Sequence, residues 1–233
     1  MNVDPQEIEK FDEMALDWWN TDGQCKPLHD LNPLRLGFIQ THSTLANQEI
    51  LDVGCGGGIL TEALAQFSPT VWGIDQSAKA LEVAKEHANG LKHPPHYELE
   101  TVENLSKRYP GRFDVLTCME LLEHVPDPIS VISACATLLK PGGQLFFSTL
   151  NRTPKAFLYA IIGAEYVMKL LPYGTHDYER FIRPSELAQW SRSQKLSLKH
   201  LKGISYRLLN KTYHLSDDVS VNYIMHFEKD ASL

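Results

Sequence analysis

Two carboxylates and an imidazole lie within five residues in the segment CMELLEHVPDP, namely Glu120, Glu123 and His124. Side chains of these types can bind a divalent cation, or they can form a general base with the acid that orients it. Three roles therefore stay open for His124: general base, metal ligand or a purely structural histidine. Asp127 and Pro128 in the same segment are instead typical of the start of a helix.

A second motif, the glycine-rich stretch DVGCGGG at residues 52–58, follows an apolar run that predicts a buried strand. Glycines at a strand-to-helix turn let a ligand approach the backbone, and the helix N-terminus presents free N–H groups. The dinucleotide pattern GxGxxG, read from Gly54, needs glycine where this chain has Ile59. No lysine followed by serine or threonine completes a phosphate-binding loop. The stretch therefore predicts a site for a nucleoside-bearing cofactor other than NAD.

The pattern that remains is an acid followed by glycines at alternate positions, Asp52, Gly54, Gly56 and Gly58, with Asp75 ending the second predicted strand. This pattern resembles the class I methyltransferases that use S-adenosylmethionine. The resemblance implies that the loop backbone binds the methionine portion and that the Asp75 carboxylate accepts both ribose hydroxyls. A glycine-rich turn used only for tight packing is the alternative.

Many enzymes of this class carry an acid just after the third strand, where it binds the adenine amine. Here the segment ETVENL places Thr101 at that point. The resemblance therefore assigns adenine recognition to backbone groups around Val102.

Two helices are expected to precede the first strand. An N-cap at Asp4 followed by Pro5 predicts a helix that runs to about Trp19. Asn32 as cap and Pro33 as first residue predict a second helix, with Arg35 in its first turn.

From residue 49 short apolar runs alternate with helical segments, which is typical of a doubly wound parallel sheet. We expect an α/β fold of the Rossmann-like class I methyltransferase type, with a seven-strand, mostly parallel sheet that an antiparallel C-terminal hairpin closes. One domain would comprise N-terminal helices at 1–46, a cofactor-binding core at 49–150, an apolar insertion or lid at 151–183, and a closing helix and strands at 184–233. Because ligands of such sheets lie at the carboxyl ends of the strands, the segment after strand four should face the transferable methyl group.

Composition excludes several classes of protein. The net charge of −7 argues against nucleic acid as a principal partner. Four cysteines without CxxC spacing favour a reducing compartment, and neither a secretory signal nor a run of about 18 apolar residues is present. A cytoplasmic protein is expected.

Several longer motifs together closely resemble the ubiquinone-biosynthesis O-methyltransferase family over nearly the full chain: KPLHDLNPLRLGFI, LDVGCGGGIL, STLNRTPKAFL, GAEYVMKLLPYGTHDY and VNYIMH. Members of this family methylate phenolic oxygens of polyprenylated phenols and catechols at an early and a late step of the quinone pathway. The resemblance implies that Arg35, Gly54, Asp75 and Met119 contact S-adenosylmethionine. It also implies a divalent metal, magnesium or another ion, on the triad of Glu120, Glu123 and His124.

The segment AFLYAIIGAEYVMKLLPYG lies within the insertion, and a helical reading places apolar side chains along one face. Between positions 151 and 183 basic residues outnumber acidic ones, although the whole chain is acidic. This profile suits contact of residues 156–172 with an anionic membrane surface, where a polyprenyl substrate dissolves. A core helix and a lid over the acceptor pocket are alternatives, and other enzymes of the pathway are possible partners.

Two other functions remain open at this point. The protein could methylate another small acceptor, or it could be a non-catalytic, S-adenosylmethionine-binding scaffold of a quinone-synthesis assembly.

Overall fold

The computed structural model describes residues 2–158, 178–207 and 212–231. Helix α1 (Pro5–Met14) begins as predicted, since the Asp4 carboxylate accepts a hydrogen bond from the Gln6 backbone N–H. It ends five residues earlier than predicted, and a 3₁₀ turn, Ala15–Asp17, follows. The chain leaves the helix there because the next residue, Trp18, packs against the glycine-rich loop and is buried.

Helix α2 (Lys26–His42) corrects the predicted start of the second helix. Asn32 is not its cap and Pro33 lies inside it; the proline of the first turn is Pro27. A proline costs nothing in the first turn, where its missing N–H has no partner in any case. The helix continues through Pro33 because the residues that flank it, including Phe38, are buried against the sheet. Arg35 therefore lies in the middle of α2.

The sheet contains eight strands in the described part of the chain, in the order β3-β2-β1-β4-β5-β8-β6-β7. Their bounds are β1 Glu49–Val53, β2 Thr70–Asp75, β3 His96–Leu99, β4 Phe113–Met119, β5 Leu139–Leu150, β6 Leu196–Arg207, β7 Thr212–Ser216 and β8 Asn222–Lys229. The first five strands pair in parallel, and β8 pairs antiparallel with both β5 and β6. The predicted α/β fold with a mostly parallel sheet and antiparallel C-terminal strands is confirmed.

One strand was not predicted. The short strand β7 pairs with β6 at the edge of the sheet, so the closing strands number three instead of two. Its residues, TYHLS, mix polar and apolar side chains and are only partly buried, so the sequence carries little strand signal there.

Helices cover both faces of the sheet. The remaining helices are α3 Ile59–Ala65, α4 Ala78–His87, α5 Val102–Arg108, α6 Pro128–Leu138, α7 Pro154–Ala156 and α8 Pro184–Ser193. One apolar core joins α5, α6 and α8 to the sheet, and a second joins α2 and α3 to it. The predicted cap of α6 is confirmed, since Asp127 accepts hydrogen bonds from first-turn N–H groups, and Ser77 caps α4 in the same way.

The chain order reverses beside β1. Strands β2 and β3 extend the sheet to one side of β1, and β4 and β5 extend it to the other. At such a reversal the loops after the two central strands diverge and leave a crevice at the carboxyl ends of the strands. The loop after β1 is the glycine-rich stretch, and the loop after β4 begins with Glu120.

Most of the predicted apolar insertion, 159–177, lies outside the described residues. Within the described ranges, none of the helices combines the length and the apolar character that crossing a bilayer requires.

Candidate functional site

A cavity of about 970 Å³ opens at the carboxyl ends of β1, β2 and β4. Most of the residues predicted for the site border it: Arg35, Asp52, Gly54, Gly56, Asp75, Val102, Met119, Glu120 and His124. Two predicted residues, Gly58 and Glu123, do not. The fold therefore brings together side chains from α2, β1, β2, α5 and the segment after β4.

Much of the glycine-rich loop is covered by the N-terminal segment. A Cβ atom at Gly56 or Gly57 would collide with the indole of Trp18, and a Cβ at Gly58 would collide with the Tyr97 hydroxyl. Trp19 donates its indole N–H to the Gly57 carbonyl at 2.9 Å. At Gly56 and Gly57, the absence of a side chain thus makes room for the Trp18 indole. Gly54 has φ +72° and borders the cavity.

Asp75 ends β2 at the cavity. Its two carboxylate oxygens accept hydrogen bonds from the backbone N–H groups of Gly56 and Ser77, each at 2.8 Å. Each oxygen keeps a second lone pair, so the carboxylate can still accept two ligand hydroxyls. Burial raises the pKa of Asp75.

Asp52 borders the cavity, and its carboxylate is bonded to two threonines. It is buried, and its two oxygens accept hydrogen bonds from the hydroxyls of Thr61 and Thr117, both at 2.7 Å. Burial raises the pKa of Asp52 to about 6. These bonds tie α3 and β4 to β1, so this carboxylate positions the loop that follows it.

Glu120 anchors a polar cluster at the cavity wall. Its carboxylate lies 3.0 Å from the Arg35 guanidinium and accepts a 2.7 Å hydrogen bond from the Ser148 hydroxyl. The Asn222 amide donates to the same carboxylate at 3.3 Å. Glu120 has φ +51°, which is uncommon for a residue with a side chain and is typical of functional sites.

The pKa values of the two glutamates of the segment are shifted in opposite directions. Burial acts to raise the pKa of Glu120, but Arg35 and the hydrogen bonds from Ser148 and Asn222 outweigh it, so this pKa lies below its ordinary value. Burial, and then repulsion from Glu120, raise the pKa of Glu123 well above its ordinary value. Glu123 accepts a 2.7 Å hydrogen bond from the Thr149 hydroxyl. Of the two carboxyls, Glu123 therefore holds its proton to the higher pH.

His124 is held by the first helix. Its Nδ1 lies 2.8 Å from the Glu7 carboxylate, and the Phe11 ring packs edge-on against the imidazole at a centroid distance of 5.2 Å. Burial acts to raise the pKa of Glu7, but the bonds to His124 and Lys10 outweigh it and lower this pKa to about 2. An ionised Glu7 that accepts the Nδ1 proton leaves the lone pair on Nε2, as a general base requires.

The predicted metal triad does not converge in this geometry. In the described part of the chain, the ligand atoms of Glu120, Glu123 and His124 do not all lie within 4.8 Å of one another. One atom of each side chain is hydrogen-bonded elsewhere, to Arg35, Thr149 and Glu7 respectively. Because the three side chains do not converge, the arrangement as it stands does not fit a three-ligand ion.

Several polar atoms at the cavity have no hydrogen-bond partner among the described residues: Arg35 Nε, Asn32 Oδ1 and Asn222 Oδ1. An unpaired buried polar atom is costly, so such atoms at a cavity wall indicate a polar ligand. One donor and two acceptors suit a ligand that carries both a carboxylate and an ammonium group.

Sequence reasoning missed Glu7, Trp18, Ser148, Thr149 and Asn222 as members of the site. The first two lie far along the chain from the cavity loops, and only tertiary packing brings them there. The sequence around Glu7 carries a local signal only. An acid three residues after an N-cap is typical of a capping box, which explains Glu7 by the helix start and not by a site.

Comparison with known proteins identifies the family of this chain. A family model described as a methyltransferase domain matches residues 28–201. The chain is 54% identical over 230 residues to the ubiquinone biosynthesis O-methyltransferase of Saccharophagus degradans, covering 98% of each chain. It is 53% identical over 230 residues to the protein of the same name from Thiobacillus denitrificans, covering 99% of each.

Solved structures share the fold. Magnesium protoporphyrin IX methyltransferase from Synechocystis PCC 6803, with bound SAH, aligns with a TM-score of 0.70 at 18% identity, over 96% of this chain and 98% of that one. The same enzyme with bound SAM aligns with a TM-score of 0.67. At this sequence identity the structural similarity shows the fold alone. The family is shown by the more similar relatives. The chain is an S-adenosylmethionine-dependent methyltransferase and belongs to the ubiquinone biosynthesis O-methyltransferase family.

Proposed function

We propose that this protein transfers a methyl group from S-adenosylmethionine to a phenolic oxygen of polyprenylated phenol and catechol intermediates, at both O-methylation steps of ubiquinone biosynthesis. The observation that carries the proposal is the pairing of His124 with Glu7 at the wall of the cavity that Asp75 and the glycine-rich loop also border.

The cofactor's expected contacts follow from the polar atoms at the wall. Arg35 offers a donor for the methionine carboxylate, and Asn32 and Asn222 offer acceptors for the ammonium group. Asp75 has lone pairs left for the ribose hydroxyls, and Val102 begins α5 where the adenine is expected. When bound, the cofactor supplies an electrophilic methyl group on a sulfonium.

The acceptor needs a base. A phenol has a pKa of about 10, so only about one molecule in a thousand is ionised at neutral pH. Nε2 of His124 can take the phenolic proton while Glu7 stabilises the imidazolium that forms. A positioned base of this kind contributes roughly 100- to 10,000-fold, and alignment of oxygen, methyl carbon and sulfur contributes to the rate as well.

The acceptor's isoprenoid tail needs an apolar path to the surface. Apolar side chains line much of the cavity, among them Leu31, Leu121, Val125, Leu150, Leu158, Ile204 and Tyr213. Leu158 both borders the cavity and is 53% exposed, and Phe157 is 41% exposed. These two residues begin the predicted membrane-contact segment, 156–172. We infer that the tail leaves the cavity beside it, toward an anionic membrane surface.

The first test is transfer of labelled methyl from S-adenosylmethionine to a short-chain prenylated catechol. We expect His124→Gln to lower kcat about 100-fold or more, with little change in the KM for S-adenosylmethionine. Glu7→Gln should lower kcat less, because it removes the anion that stabilises the imidazolium formed in the reaction. A merely structural Glu7 would leave kcat unchanged.

His96→Gln is the matched control, because it removes an exposed histidine that lies near a glutamate but does not border the cavity. It should leave transfer unchanged. No transfer to any catechol with S-adenosylmethionine binding intact would contradict the proposal and favour another acceptor or a non-catalytic scaffold.

A divalent ion at Glu120, Glu123 and His124 would require these three side chains to move toward one another, while the bond from Nδ1 of His124 to Glu7 could stay. Chelation distinguishes the two roles of His124. Transfer that survives chelation assigns His124 to proton removal. Transfer that is lost on chelation and restored by magnesium assigns His124, with both glutamates, to the ion.

A further inference from the structure

Three histidines from three elements meet outside the cavity. His42 lies in the last turn of α2, His200 in β6 and His226 in β8, and none of them borders the cofactor cavity. Each offers one ring nitrogen, and these nitrogens all lie within 4.8 Å of one another. Among the described residues, these three histidines are the group of potential metal ligands whose ligand atoms lie this close together.

The distance between two of the nitrogens suits a shared ion. Nδ1 of His200 and Nδ1 of His226 are 3.1 Å apart. Two imidazole nitrogens on one tetrahedral zinc ion, each at about 2.0–2.1 Å from it, lie about 3.3 Å apart. The pair is therefore already near the separation that an ion between them would require.

The buried histidine is oriented as a metal ligand. Nε2 of His226 donates to the Gln144 side-chain oxygen at 2.6 Å, so the lone pair of this ring lies on Nδ1, which faces His200. Histidines that bind metals almost always donate their other N–H to an acceptor of this kind.

The other two histidines have room to adjust. Their rings are stacked at a centroid distance of 3.8 Å and an angle of 19°, so one must tilt before both lone pairs point at a single ion. His200 is exposed and lies at an irregularity of β6 between positions 198 and 200, where such rotation is unhindered by core packing. All three border a cleft of about 520 Å³, from which water can reach the ion.

Charges around the cleft do not oppose a cation. Lys140 is paired with Asp114 at 2.8 Å, and Lys199 is paired with Glu228 at 3.3 Å. The two lysines that border the cleft therefore each have a carboxylate partner.

We infer that His42, His200 and His226 form a binding site for zinc or a similar imidazole-preferring divalent cation, which joins the end of α2 to β6 and β8. Imidazole ligands select zinc, copper, nickel or cobalt over magnesium and calcium. The ion is structural: it links elements on one side of the sheet, away from the methyl-transfer cavity.

The test uses the full chain after chelation and dialysis. We expect uptake of one Zn²⁺ and, with Zn²⁺ at about 100 times its Kd, a rise in Tm of about 5 to 10 °C. Co²⁺ should give the visible bands of a nitrogen-ligated ion, without the near-ultraviolet band of a thiolate, because the four cysteines are buried and are not ligands.

His200→Gln and His42→Gln should each weaken binding by about tenfold or more and abolish most of the rise in Tm. The matched control is His93→Gln, since His93 is exposed and is not part of the cluster. Failure of the wild type to take up Zn²⁺ at micromolar free ion would overturn the inference. So would unchanged binding in both cluster variants, or loss of binding in Glu120→Gln, which would place the ion in the cavity.

Discussion

At the scale of single residues, the pKa values of two glutamates in one short segment are shifted in opposite directions. Glu120 borders the cavity with Arg35 beside it, whereas Glu123 does not border the cavity and accepts a hydrogen bond from Thr149. Arg35 thus lies beside the carboxyl whose pKa is lowered. Since a buried charge is stable only with its partner, Glu120 and Glu123 should respond differently to neutralisation.

Glu123 has the raised pKa, so Glu123→Gln, which puts a neutral amide of similar shape in its place, should change the free energy of unfolding by less than about 1 kcal/mol. Glu120→Gln leaves the Arg35 guanidinium without its anion, at a cost of about 3 kcal/mol. Urea unfolding of both variants at pH 7 measures the difference. Equal losses would show that both carboxylates are ionised in the folded protein.

At the scale of elements, the N-terminal segment serves the loop and the base together. Helix α1 contributes Glu7 to His124, and Trp18 and Trp19 cover the glycine-rich loop a few residues later. The absence of side chains at 56 and 57 is what lets the indole of Trp18 lie against the loop backbone. The packing of this segment should therefore depend on glycine at these positions.

Gly57→Ala tests this dependence, because Gly57 does not have the positive φ of its neighbours and the three atoms nearest to the added methyl all belong to Trp18. We expect a loss of about 1–3 kcal/mol in the wild-type background, as for other overpacked sites. In a Trp18→Ala background the same change should cost less, because only the Cβ of the three atoms remains, and the coupling of the two changes measures the contact with the indole.

Gly37→Ala is the matched control, since a Cβ there meets nothing within 4 Å and the residue lies inside α2. It should stabilise the protein by about 0.5–1 kcal/mol. An equal cost of Gly57→Ala with and without Trp18 would refute the packing role.

At the scale of the whole molecule, the cofactor cavity and the start of the insertion lie next to each other. The cavity lies at the carboxyl ends of the parallel strands, and the insertion leaves β5 directly beside it, with Phe157 and Leu158 exposed. Substrate entry and membrane contact would then share one edge of the protein, which suits an acceptor dissolved in a bilayer.

Deletion of residues 156–172 should reduce binding to vesicles that contain anionic lipid, and binding of the wild type should weaken as salt is added. Co-sedimentation with anionic and with neutral vesicles measures both effects. Because the deletion alters folding as well as surface, a Phe157→Ser/Leu158→Ser variant provides the gentler comparison. Binding that is the same in all three proteins would restrict the insertion to a core or lid role.

Local chemistry determined the order of the central elements. Proline and N-cap residues predicted the starts of α1 and α6, and the alternation of apolar runs with helical segments predicted the parallel sheet. These features depend on residues close together in the chain, so the sequence alone contains them. The start of α2 and the strand β7 were missed because buried neighbours, rather than local propensity, stabilise them.

The sequence by itself determined the methyltransferase motifs and placed Gly54, Asp75, Glu120 and His124 at the ends of strands that converge on one edge. The tertiary structure decided what each side chain contacts there. It pairs His124 with Glu7 and Glu120 with Arg35, and it bonds Asp52 to two threonines. It also brings three distant histidines together. Hydrogen bonds and charge states depend on distances between residues that are far apart in the chain, and only packing of the folded chain sets those distances.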